Sequence, residues 1–193
     1  RTMVLYWDEL CFKIFQKILK QNDFTLEVKN IIEIGSGWAP ILPYFLLYFG
    51  KAWSVATFDL NEHFSKKSIS RLNRVFRSEY GVTPAPNPRS SYDLPKEISY
   101  YPSTNLVNAE LPEADLVFSR FVLEHLKPDD IFLMHQKLKR ELKPGSIIVH
   151  LISPSDHRPY VVDELSMQDF LQYIEPEWLK KQTRFFLLYT TVA

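Results

Sequence analysis

The segment Ile31-Ile32-Glu33-Ile34-Gly35-Ser36-Gly37-Trp38-Ala39-Pro40 predicts a strand, a glycine turn and the start of a helix. The apolar run 31–34 is typical of a short strand that is buried on both faces of a parallel sheet. Two glycines follow it, and glycine permits positive φ angles and a close approach of the backbone to a ligand. A turn of this kind at a helix N-terminus is a ready site for a nucleoside.

Strands and helices alternate along the chain. Apolar spacing and turn residues predict strands at 31–34, 53–58, 98–101, 114–118 and 146–152, and helices at 10–19, 40–49, 62–80 and 128–142. This alternation predicts a Rossmann-like α/β fold, with a doubly wound, mostly parallel sheet and helices on both faces. The proline-rich residues 82–102 predict an irregular insertion, which is either a lid over the acceptor or a surface loop.

The length of 193 residues predicts a single domain that spans the chain. Within 1–193 we expect an N-terminal helical segment at 1–29, a ligand-binding core at 30–152 and a substrate-side cover at 153–193.

Composition argues against several classes of partner and site. Lys plus Arg and Asp plus Glu both number 23, which disfavours nucleic acid or an anionic membrane as a partner. The single Cys11 excludes an intrachain disulfide and a cysteine zinc site, and it fits the reducing cytoplasm, which we predict as the location. The uncharged run 34–50 contains Pro40 and Pro43, so it predicts a buried helix and no membrane span.

Asp59 ends the second predicted strand and follows the glycine turn by about twenty residues, the spacing of an acid that binds ribose. The alternative is a turn aspartate that caps the next helix. A nicotinamide dinucleotide is disfavoured, because Pro40 stands where its motif needs a third glycine and because Glu33 would repel phosphate. A sulfonium ligand is positively charged, so Glu33 would attract it.

Four segments resemble, in order and spacing, the motifs of class I S-adenosylmethionine-dependent methyltransferases of the methyltransferase type 11 kind. They are Glu33-Ile34-Gly35-Ser36-Gly37, Asp59, Ala114-Asp115-Leu116-Val117-Phe118-Ser119 with Val122-Leu123-Glu124-His125-Leu126, and Leu142-Lys143-Pro144-Gly145-Ser146. The resemblance covers residues 30–152. It implies S-adenosylmethionine as the cofactor and methyl transfer as the reaction.

The resemblance also implies which residues bind the cofactor. The residues that border its methionine part would be Glu33, Gly35, Ser36 and Gly37. Asp59 would bind the ribose. Asn108 and Ala109, after the third strand, would lie near the adenine, and Ser119 and Arg120, after the fourth, would form the floor of the site.

The chain also departs from the family pattern. Ala39 replaces a frequent glycine, and Asn108 replaces a more usual acid near the adenine. The family's sheet ends in an antiparallel strand pair, whereas here only residues 184–192 resemble a strand after residue 152. An incomplete set of C-terminal strands is one interpretation, with a helix at 165–173 covering the mouth of the pocket.

Two histidines are candidate catalytic groups, because a hydroxyl acceptor must lose its proton and histidine is the usual base near neutral pH. His157 lies in the loop after the fifth strand, and His125 follows the fourth. The alternative for His125 is a helix-start residue that never touches the reacting atoms. His150, inside the fifth strand, is expected to be a core residue, and no metal site is predicted.

The predicted function is methyl transfer to a hydroxyl or carboxyl group of a small-molecule or saccharide (glycan-type) acceptor. A non-catalytic module of the same fold, which binds a nucleoside or a protein partner, is the alternative. An NAD(P)-dependent oxidoreductase is a less favoured alternative.

Overall fold

The computed structural model describes residues 5–153, 155, 158–160, 162 and 164–181. The helices are α1 (Tyr6–Gln21), α2 (Ile41–Tyr48), α3 (Lys66–Tyr80), α4 (Pro128–Glu141) and α5 (Glu175–Lys181). The strands are β1 (Asn30–Ile34), β2 (Ser54–Phe58), β3 (Ile98–Tyr101), β4 (Leu116–Arg120) and β5 (Ile147–Leu151). None of these helices is long and apolar enough to cross a membrane.

The five strands form one parallel sheet in the order β3-β2-β1-β4-β5, flanked by helices. β1 lies beside β2 with Ile34 opposite Phe58, so the two strands end side by side. Residues 31–34 of β1 are all buried, as the apolar run predicted. The predicted Rossmann-like α/β fold is confirmed.

The chain divides into two compact units. The first contains the described residues up to Phe118 and Glu141–Val149, and it holds β1 to β3 with the larger parts of β4 and β5. The second contains Ser119–Arg140 and the described residues from His150 onward. The single domain inferred from length stays a prediction.

Aromatic side chains form much of the core of the first unit. The Phe45 ring of α2 packs on Phe12 of α1 at 5.6 Å and on Phe76 of α3 at 5.3 Å between ring centroids. Phe15 of α1 meets Phe118 edge to face at 5.1 Å. Each of these rings is at most 5% exposed, so the helical spacing of apolar residues in α1 marks its buried face.

α3 begins later than the sequence predicted, and it ends at the predicted residue. Ser65 accepts a hydrogen bond from the Ser68 backbone N–H and Ser68 returns one to Ser65, so this capping box starts the helix at Lys66 instead of residue 62. The C-terminal stop is Gly81, whose φ of 65° is the left-handed conformation that ends a helix.

The proline-rich insertion lacks regular structure over most of its length, as predicted, and contains an isolated bridge between Pro86 and Pro95. Asp93 joins it to α3. The Lys66 ammonium lies 3.3 Å from the Asp93 carboxylate, and the Asn73 amide donates to the Asp93 backbone carbonyl at 3.2 Å. The insertion therefore packs on α3 within the first unit.

Two local predictions were wrong. β4 runs from Leu116 to Arg120, not over 114–118, because the polar residues Ser119 and Arg120 continue the strand beyond the apolar run that ends at Phe118. Ser119 and Arg120 are therefore the last residues of the strand and do not follow it. Residues 165–173 contain only the short 3-10 turn Asp169–Gln172, whose backbone hydrogen bonds join residues three positions apart, as in Leu171 N–H to the Gln168 carbonyl. The strand predicted at 184–192 lies outside the described residues.

A buried hydrogen bond between α2 and α3 makes a stability prediction. The Tyr44 hydroxyl donates to Asn73 Oδ1 at 2.6 Å, and Tyr44 is fully buried. Tyr44→Phe keeps the ring and leaves Asn73 Oδ1 unpaired, so it should lower the free energy of unfolding by about 1–3 kcal/mol in a urea titration. Tyr48→Phe on the same helix is the control, with an expected change below about 0.5 kcal/mol. Equal effects of the two variants would contradict this account.

Candidate functional site

The turn after β1 depends on left-handed backbone at its two glycines. Gly35 has a φ of 81° and Gly37 a φ of 60°, conformations that disfavour a side chain. The Gly35 N–H donates to the Phe58 carbonyl at 2.8 Å, which fixes the start of the turn against the end of β2. A Cβ built on Gly37 would meet nothing within 4 Å, so this glycine borders open space.

The Asp59 carboxylate closes this turn. Its Oδ2 accepts a hydrogen bond from the Gly37 N–H at 3.2 Å, and its Oδ1 accepts one from the Asn61 N–H at 2.9 Å. The two features that the sequence predicted to act together are thus in direct contact. The helix-cap alternative for Asp59 is wrong, because Ser65 caps α3.

Two rings beside Asp59 were missed by the sequence analysis. His63 Nε2 lies 3.6 Å from Asp59 Oδ1, and the His63 ring packs on the Trp38 indole at 4.7 Å between centroids. Trp38 is 80% exposed. The spacing of four residues between Asp59 and His63 was the available signal, although the intervening residues turn out not to be helical.

Glu33 and Ser36 are buried polar residues next to the turn, each 5% exposed. In the sheet Glu33 lies opposite Thr57, whose hydroxyl donates to Glu33 Oε2 at 2.5 Å. This hydrogen bond offsets part of the cost of burying a carboxylate. The Ser36 hydroxyl has no hydrogen-bond partner among the described residues.

The segment after β3 starts beside Asp59. The Thr104 N–H donates to the Asp59 backbone carbonyl at 2.8 Å, and the Asn105 side chain accepts from the Val107 N–H at 3.0 Å to start a 3-10 turn. Asn108 ends this turn and is exposed, and Ala109 after it is half-buried. The first unit therefore assembles the glycine turn, Asp59 and the start of the segment that carries Asn108 and Ala109.

In the second unit, Ser119, His150 and His135 form a hydrogen-bonded chain. His135 Nδ1 lies 2.8 Å from the Ile131 carbonyl, which can only accept, so Nδ1 carries a hydrogen. When His135 is neutral, its Nε2 accepts from His150 Nε2 at 3.1 Å. His150 Nδ1 is then an acceptor, and the buried Ser119 hydroxyl donates to it at 2.7 Å.

Within this hydrogen-bonded network the His150 imidazole is neutral near pH 7. Burial, and secondly the nearby His135, lower the pKa of His150 to about 4. The imidazole takes part in a satisfied local network, as expected for a core histidine. His135 was not singled out from the sequence, because its side-chain partner His150 lies 15 residues away on β5.

Of the other residues predicted in the second unit, the structure describes His125 and Arg120. His125 is half-buried and ends the 3-10 turn Leu123–His125. Glu124 before it is 4% exposed, and its Oε1 accepts from the Ser153 N–H at 3.2 Å. Arg120 lies over the Phe121 ring at 5.9 Å. His157 lies outside the described residues, and the described part of the chain holds no cluster of three or more potential metal ligands.

Several solved structures resemble this chain. The methyltransferase domain of a bacterial Hen1 is 14% identical, with 92% of this chain and 82% of that chain covered at a TM-score of 0.50. Coclaurine N-methyltransferase, solved with N-methylheliamine and SAH, is 10% identical over 72% of this chain and 34% of its own, at 0.48. The glycopeptide N-methyltransferase MtfA is 13% identical over 72% and 52%, at 0.45.

This chain shares the Rossmann-like α/β fold of the Hen1 methyltransferase domain, and at 14% identity the likeness shows the fold alone. The chain spans less than two thirds of coclaurine N-methyltransferase and of MtfA. No protein-family model and no curated protein sequence matches the chain.

The lowered pKa of His150 predicts how stability depends on pH. In the unfolded chain His150 is protonated below about pH 6.5, whereas in the folded chain it stays neutral down to about pH 4. The free energy of unfolding should therefore fall as the pH drops through this window. His150→Asn keeps an acceptor for Ser119 and removes the titration, so denaturant titrations at several pH values should give a shallower fall. Equal slopes for wild type and variant would contradict the assignment.

Proposed function

We propose that this chain binds S-adenosylmethionine at the glycine turn and transfers its methyl group. The Asp59 carboxylate carries this proposal. It is fixed by the Gly37 and Asn61 N–H groups at the end of β2, beside the turn. A carboxylate is an acceptor for the two hydroxyl donors of a ribose, and charge makes such hydrogen bonds strong.

The residues around the turn fit a nucleoside with a cationic sulfonium and a polar amino-acid tail. The space beside Gly37 is open, so a ligand can approach the backbone there. The buried Ser36 hydroxyl lacks a partner among the described residues and offers a hydrogen bond to the ligand. The Glu33 and Asp59 carboxylates supply the negative potential that a sulfonium prefers.

The same features disfavour a nicotinamide dinucleotide. A pyrophosphate needs free backbone N–H groups at the turn and at the start of the helix. Here the Gly37 N–H is engaged by a carboxylate, and α2 is preceded by Pro40, which has no N–H. An oxidoreductase is therefore the weaker candidate.

The same proposal includes four further residues that would contact the cofactor. Asn108 and Ala109 follow β3 and would lie near the adenine. Ser119 and Arg120, at the end of β4, would form the floor of the site.

The acceptor that we propose is a hydroxyl or carboxyl group of a small molecule or glycan. When bound, the cofactor supplies an electrophilic methyl group. The chain must hold the acceptor oxygen in line with that methyl and remove its proton if it is a hydroxyl. His125 and His157 are the proposed bases, because in the sequence His125 follows β4 and His157 follows β5.

A ligand panel tests the proposal. S-adenosylhomocysteine and S-adenosylmethionine should raise the melting temperature of the protein, because they bind the folded state only. NAD and NADP at equal concentration should leave it unchanged. Stabilisation by the dinucleotides alone would overturn the proposal. Transfer of a labelled methyl group to a candidate acceptor then separates an enzyme from a silent binder.

Asp59→Asn keeps the shape of the side chain and removes its charge. Because two charge-assisted hydrogen bonds to the ribose weaken, S-adenosylhomocysteine should bind at least about tenfold more weakly by calorimetry. Asp130→Asn removes an acid from the exposed first turn of α4 and should leave the affinity unchanged. Unchanged binding by the Asp59 variant would refute the ribose role.

A further inference from the structure

The loop that presents Asp59 is held at its centre by one hydroxyl group. Tyr100, on β3, accepts a hydrogen bond from the His63 N–H at 2.9 Å and donates one to the Asn61 carbonyl at 3.3 Å. Its ring stacks on Phe64 of the same loop at 3.9 Å between centroids. Burial chiefly raises the pKa of Tyr100, so the hydroxyl keeps its proton near neutral pH.

Both residues that Tyr100 holds also face the Asp59 carboxylate. Asn61 donates its N–H to Asp59 Oδ1 at 2.9 Å, and His63 Nε2 lies 3.6 Å from the same oxygen. The side chain of Asp59 is 11% exposed, and its other oxygen binds Gly37. A shift of Asn61 or His63 would therefore change the position of the carboxylate relative to the turn.

We propose that Tyr100 is a positioning residue that fixes the Asp59 carboxylate for the ribose of the cofactor. This inference rests on the proposed function. The hydroxyl of Tyr100 acts through the backbone of Asn61 and His63, and no contact between Tyr100 and the ligand is required. A carboxylate held in advance costs less conformational entropy on binding, so the ligand binds more tightly.

The proline-rich insertion supports Tyr100 from its other side. The Tyr92 ring meets the Tyr100 ring edge to face at 5.2 Å, and the Tyr92 hydroxyl donates to Glu62 Oε1 at 2.6 Å. This hydrogen bond is the main reason that the pKa of Tyr92 is raised to about 12. Because Glu62 belongs to the loop after Asp59, the insertion stabilises this loop.

A double-mutant cycle tests the proposal by calorimetric titration of S-adenosylhomocysteine. Tyr100→Phe keeps the ring stack and removes two hydrogen bonds to the loop, so binding should weaken about five- to tenfold. In the Asp59→Asn background the same change should have a much smaller effect, because the charge-assisted contact that Tyr100 positions is already weakened. Full additivity of the two effects would overturn the proposal, as would wild-type affinity of Tyr100→Phe.

The control is Tyr101→Phe, the next residue on β3, whose ring stacks on Phe58 at 4.5 Å. It should leave the affinity unchanged. Tyr92→Phe is the second variant, which releases Glu62 and retains the Tyr100 hydroxyl, and it should weaken binding about two- to threefold. If Tyr100→Phe does not fold, wild-type affinity of Tyr92→Phe overturns the proposal.

The outcomes separate this inference from the function on which it rests. A wild-type protein that binds no S-adenosylhomocysteine refutes the proposed function. A wild-type protein that binds it, with the Tyr100 variant unchanged in affinity, refutes only the positioning role.

Discussion

The contact between the Asp59 carboxylate and the Gly37 N–H joins the ends of two neighbouring strands. β1 and β2 run side by side with Ile34 opposite Phe58, so the residues that follow them must meet. Gly37 presents its N–H to Asp59 with a φ of 60°, in the left-handed region that favours glycine. Strand register and one left-handed residue thus place a fixed negative charge at the mouth of the turn.

In our proposal, that charge decides which ligands the turn prefers. A helix N-terminus after a glycine turn attracts anions when its N–H groups are free. In this chain the Asp59 carboxylate already accepts the Gly37 N–H, and Pro40, which has no N–H, precedes α2. The buried Glu33, on β1 before the turn, adds a second carboxyl group. We therefore propose that the fold that binds phosphate in dinucleotide enzymes accepts hydroxyl donors and a cation in this chain.

The sequence predicted the features that depend on neighbours along the chain. The apolar run of β1, the glycine turn, Asp59 and the stop at Gly81 follow from local chemistry, and their spacing predicted the parallel sheet. Contacts across the fold were not predictable in this way. The Tyr100 hydroxyl forms hydrogen bonds with His63 and Asn61, which lie 37 and 39 positions earlier in the sequence. His135 contacts His150, which lies on another element. Both ends of β4 were placed too early, because the prediction stopped at the last apolar residue and the strand continues through Ser119 and Arg120.

The most direct test is a crystal structure of the protein with S-adenosylhomocysteine. Our account predicts that the ribose hydroxyls lie within hydrogen-bond distance of the Asp59 carboxylate and that the ligand passes over Gly37. A ligand bound elsewhere, or a turn filled by the protein's own side chains in the presence of saturating ligand, would contradict it.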